Sequence, residues 1–117
     1  MVENELPAGA NAVGRGVIVF LDRMMADPLL NWAFEGMDRA ALERHANAFV
    51  VAGLGGPDLF VDRGMREVHA PFELRNEHFD AAVDHLLAAL REVGISEGVV
   101  SDLAIRIEPM RTLIVSA

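Results

Sequence analysis

Apolar residues recur every three to four positions along nearly the whole chain, and that spacing limits the possible folds more than any other feature. Val13, Val17, Phe20, Leu21 and Met24 fall on one face of a helix. Leu42, Ala46, Phe49, Val50 and Gly53 repeat the pattern, as do Phe79, Ala82, Val83, Leu86, Leu87 and Leu90. A last stripe runs through Val99, Val100, Leu103, Ile107 and Met110. Only Ile105 to Glu108 alternates with period two, and the flanking helical pattern explains it better. The expected class is all-α with five or six helices. The second long helix and the final pair are expected to supply most of the core.

Helix signals divide these stripes. Asn11 can cap a first helix running to about Ala26. Asp27-Pro28 opens a brief helical piece through Leu30 and Trp32. Asp38 caps a long helix to about Leu54, which Gly55-Gly56-Pro57 stops. Leu59 and Phe60 anchor the next loop, and a short helix from Gly64 to about His69 ends at Ala70-Pro71. Asn76 and Ser96 cap the last two helices, with Gly94 between them. With no repeat and no linker, residues 1–117 read as a single domain, of which 1–10 form an irregular N-terminal segment.

Charge and residue usage narrow the function. The chain has 18 acidic and 10 basic residues, a net charge of −8, and all its cations are arginine. An acidic chain without an arginine cluster repels phosphate backbones, so no nucleic-acid partner is expected. An anionic membrane surface is equally unsuited. The absence of cysteine excludes disulfides, thiol nucleophiles and iron–sulfur ligation. The longest apolar runs fall well short of a bilayer span, so a soluble, cytoplasmic protein without membrane insertion is expected.

Few side chains can carry chemistry. Ser96, Ser101 and Ser116 sit in caps or near the end, where no serine–histidine site can form. Asp22, Glu43, Glu67, Asp80 and Asp84 lie opposite the apolar stripes and read as solvated surface. His45 and His85 each precede a stripe position, at the edge of a buried face, and His78 lies in a first helical turn. Structural or surface roles suit all three. No HxxH, HxxxH or HExxH spacing points to a zinc site on one helix. His69 differs: it closes a short helix one turn after Met65 and precedes Ala70-Pro71-Phe72. A core histidine and a proximal haem ligand both fit an imidazole in apolar surroundings.

Several runs bear on that choice. Phe20 to Pro28, Phe34, Leu42 to Phe49, Ala52-Gly53-Leu54-Gly55-Gly56-Pro57, Met65-Arg66-Glu67-Val68-His69, and Glu77-His78-Phe79 with His85-Leu86 together resemble group I truncated haemoglobins. The resemblance covers almost the whole chain. It implies a shortened globin fold, a two-over-two helical sandwich around one haem b. It implies His69 as the iron ligand and Phe34 packed on the porphyrin. Met65, Phe79, Val83, Leu86 and Ile107 would line the haem cavity, with Leu42, Ala46 and Phe49 beside them. His45 would stand where a cation meets a propionate.

The chain also departs from the family pattern. Leu21 replaces a usual tyrosine, and Ala46 replaces a polar residue that is often glutamine. Leu21, Leu42, Ala46, Phe49 and Val50 would then form an apolar ligand pocket. Each lost donor should cost bound O₂ about 1.5–3 kcal/mol, roughly tenfold or more in affinity. Three readings stay open. One is a gas-binding haem protein for O₂, CO or NO, served by a reductase. Another is a haem enzyme that uses the apolar pocket on a small apolar substrate, by oxene, carbene or nitrene transfer or by nitric oxide dioxygenation. The third is a haem-free globin module.

Overall fold

The computed structural model describes residues 8–54 and 69–115. Four long helices build it: α1 (Ala8–Met25), α2 (Arg39–Gly53), α3 (Asn76–Glu92) and α4 (Glu97–Ile107). A short helix α5 (Arg111–Ile114) closes the chain, and single 3-10 turns occupy Asn31–Phe34, Ala70–Phe72 and Glu108–Met110. The all-α expectation holds. Helix α1 packs against both α2 and α3, and α4 packs against α3 and α2, which makes two crossed layers.

Sequence-level punctuation accounts for most boundaries. Asp38 Oδ2 accepts from the Ala41 amide at 3.2 Å, and Ser96 Oγ accepts from the Val99 amide at 3.4 Å. Gly94 ends α3 with a left-handed φ of 90°, which glycine adopts without a Cβ clash. Helix α1 begins at Ala8, so it reaches back past the Asn11 cap and into the segment expected to be irregular. Helix α3 begins at Asn76 itself, with Arg75 in the cap position.

The core is distributed differently from the sequence expectation. Helix α1 contributes Val13, Val17, Phe20, Leu21 and Met24, whereas α2 buries only Ala46 and Val50. The apolar face of α2 is turned largely to a cavity rather than to another helix. Helix α3 supplies Phe79, Leu86, Ala89 and Leu90, and α4 supplies Val100, Leu103 and Ile107. Small residues set the crossings. A Cβ on Gly16 would stand 2.8 Å from Leu90 Cδ2, and one on Gly53 would stand 2.6 Å from Leu103 Cδ1. Glycine at these two positions allows α1 to approach α3 and α2 to approach α4 closely.

Polar ties fix the outer edges. Among the described residues no polar or charged side chain is fully buried. His85 Nε2 lies 2.8 Å from Asp27 Oδ2, and Arg23 Nε donates to His85 Nδ1 at 3.3 Å. Because Nδ1 accepts, the neutral ring carries its proton on Nε2 and donates it to Asp27. The His85 bond, and a further bond from the Leu29 amide, hold the Asp27 carboxyl below its ordinary value. This cluster joins the end of α1 to α3 and anchors the turn into Asn31–Phe34. At the other end, Arg111 pairs with Asp80 and Glu108 and stacks over Phe79, its carbon 4.5 Å from the ring centre.

Candidate haem site

Helices α1, α2 and α3 enclose a cavity whose unfilled space, counting the open mouth, is about 1060 Å³. It is lined by Phe20, Leu21 and Met24 of α1, by Leu42, His45, Ala46 and Phe49 of α2, and by His78, Phe79, Ala82, Val83 and Leu86 of α3. Ile107 of α4 and Ile114 of α5 also line it. Leu30, Trp32, Ala33, Phe34 and Met37 come from the segment between α1 and α2, and His69, Phe72 and Leu74 from the segment before α3. Trp32 is 42% exposed and Met37 39%, so these two mark the mouth.

The lining is almost wholly apolar. Among the described residues its polar side chains are three imidazoles and the indole of Trp32, whose Nε1 already donates to the Leu29 carbonyl at 2.7 Å. The imidazoles differ in their surroundings. His45 and His69 face each other with ring centres 5.9 Å apart and planes tilted by 50°. Burial, and then the nearby His69, hold the His45 imidazole below its ordinary value. It therefore favours its neutral form. His78 lies half-buried near the mouth, 5.8 Å from Trp32 in an edge-on arrangement.

Two neutral-capable nitrogen donors set in an apolar wall suit a metal carried by an apolar group. The rings of His45 and His69, 5.9 Å apart, both border this cavity. Among the described residues no cluster of three or more His, Asp or Glu could hold a bare ion. The site fits a metal that brings most of its own ligands.

The structure brings Leu21, Phe34, Leu42, His45, Ala46, Phe49, His69, Phe79, Val83, Leu86 and Ile107 to this cavity. Val50 does not line it; the side chain is fully buried in the helix core. Met65 lies outside the described residues, as does the Gly55-Gly56-Pro57 stop. Sequence reasoning missed Trp32 and Phe72, which meet edge-on at 6.3 Å, and missed the place of His78 at the cavity. Only their position in turns and first helical residues could have suggested it. The segment after His69 lacks glycine, and Glu73 there takes the left-handed conformation with φ 51°. Glycine adopts that conformation at less cost.

Comparison with known proteins agrees with this geometry. The bacterial-like globin family matches residues 8–116. The group 1 truncated haemoglobin of Tetrahymena pyriformis is 32% identical over 103 residues, covering 88% of this chain and 85% of that one. The group 1 truncated haemoglobin GlbN of Synechocystis is 35% identical over 100 residues, covering 82% and 81%. The crystal structure of the Tetrahymena pyriformis protein in its Fe(III) form superposes with a TM-score of 0.82 at 30% identity, covering 92% of each chain. That of Chlamydomonas reinhardtii THB4 superposes at 0.84 with 28% identity, covering 92% and 90%. With this sequence similarity and this helix arrangement around an imidazole-bearing cavity, the chain belongs to the group 1 truncated haemoglobins of the bacterial-like globin family.

Proposed function

We propose that this chain holds haem b through His69 and offers small diatomic ligands a pocket walled by apolar side chains. Membership of the family implies a haem-bound globin. The observation that carries the finer reading is the lining itself: imidazoles set in an otherwise apolar cavity. When bound, the haem supplies an iron that takes O₂, CO or NO. Phe34, Phe79, Val83, Leu86 and Ile107 exclude water around it. Leu21, Leu42, Ala46 and Phe49 supply no hydrogen-bond donor to a ligand. Such a wall leaves CO binding largely intact and weakens O₂ binding.

Leu21→Tyr tests the wall. Leu21 is 2% exposed and lines the cavity, so a phenol there adds a donor inside it. Release of O₂ should slow roughly tenfold, as read by flash photolysis. An unchanged rate would mean that Leu21 does not face the ligand.

The ring separation favours a second reading of the resting protein. In that reading His45, whose ring stands 5.9 Å from that of His69, competes with external ligands for the iron. The test is the absorption spectrum of the haem-loaded chain, reduced and free of added ligand, beside that of His45→Ala. The parent should show two-imidazole ligation, and the variant a five-coordinate reduced form that binds CO faster. Identical spectra would remove His45 from the iron. Without a Soret band in the parent, even after haemin is added, the haem reading itself would fail.

A further inference from the structure

We infer that His78, at the cavity mouth, is the residue that receives a carboxylate of the bound group. This rests on the haem reading. Haem carries two carboxylates, and burying an ionised carboxylate without a donor is costly. The carboxylates must therefore sit at the mouth, in water or against donors. Among the described residues no arginine lines the cavity, and the chain has no lysine. The indole of Trp32 is committed to the Leu29 carbonyl. The ring of His45 stands 5.9 Å from that of His69, and burial favours its neutral form. His78, beside the exposed Trp32, is a donor at the mouth.

Its geometry suits that role. The Arg75 amide donates to His78 Nδ1 at 2.9 Å. With Nδ1 accepting, the ring proton resides on Nε2, which makes Nε2 a donor of fixed identity. Trp32 stands edge-on to the ring at 5.8 Å, and Phe72 stands edge-on to Trp32 at 6.3 Å. These aromatic contacts restrict how the imidazole can turn. The donor is therefore oriented before any ligand arrives, which lowers the entropic cost of the contact.

The experiment compares haemin with haemin dimethyl ester, whose carboxylates are capped. Each is loaded into the full chain, and its loss to excess apomyoglobin is timed by the Soret band. His78→Gln is the main variant, because glutamine at this helix position can still accept from the Arg75 amide. His78→Glu also keeps that acceptor but places a negative charge at the mouth. His78→Gln should speed haemin loss roughly three- to tenfold and leave loss of the ester unchanged. His78→Glu should speed haemin loss further. Far-ultraviolet circular dichroism checks that helix content is preserved.

Equal effects on haemin and ester would overturn the inference, since they would mark a purely structural role. It would also fall if Arg75→Gln or His45→Ala, rather than the His78 variants, carried the ester-sensitive change. A parent chain that takes up neither compound would instead refute the haem reading, before any variant is made.

Discussion

Replacing His69 with alanine should abolish stable haem retention. The purified variant should lack most of the Soret absorbance of the parent at equal protein concentration, and added haemin should dissociate much faster. Losing an outer-shell partner of a metal ligand already costs about 10–100-fold in affinity, and removal of the ligand itself should cost at least as much. The apolar wall would still attract a porphyrin, so weak binding persists while defined coordination is lost. His45, with its ring 5.9 Å away, is the imidazole that could partly substitute. The double variant His45→Ala, His69→Ala should therefore lose what remains. Normal haem content in His69→Ala would show that the iron is held elsewhere.

Leu90→Ala should produce the largest loss of folding stability among conservative core changes, about 2–5 kcal/mol. Leu90 is 0% exposed and lies where α1 crosses α3. Its Cδ2 would stand 2.8 Å from a Cβ on Gly16. Truncation removes contacts to both helices and leaves a void that the close crossing cannot collapse. Gly16→Ala alone should destabilise through overpacking, by about 1–3 kcal/mol, less about 1 kcal/mol of regained helix propensity. In the Leu90→Ala background the same methyl enters the void, so the two changes should be strongly non-additive. Urea denaturation of the four proteins at equal haem loading measures this directly. Additive effects would mean that the two side chains do not share one space.

These expectations draw on different levels of information. The all-α class was legible because each helix must bury an apolar stripe, and a stripe with period 3.6 is visible in one dimension. Caps at Asp38 and Ser96 were legible because they are local contacts, three residues long. His69, Phe34 and the α3 positions of the cavity could be named from the family resemblance, since their motifs keep a fixed interval.

Burial depth was less legible. The stripe of α2 looks like core in sequence, yet Leu42, Ala46 and Phe49 line a cavity. A stripe records which face is apolar and not what stands opposite it. Val50 is the converse: its place beside Phe49 suggests the ligand pocket, and the rotation of α2 turns it into the helix core. The short elements at the mouth carry almost no periodic signal, so Trp32, Phe72 and His78 became a group only through the fold.

What the sequence by itself determined was the helical class, the main boundaries and the identity of the imidazole carried before α3. Those depend on interactions within a few residues or on one repeating face. What only the tertiary structure decided was the close approach of α1 to α3 at Gly16, the facing of His45 and His69, and the placing of His78 beside Trp32. Each joins residues at least twenty-four positions apart in the sequence. Such pairings depend on how helices cross, and crossing is set by the packing of whole faces rather than by any local signal.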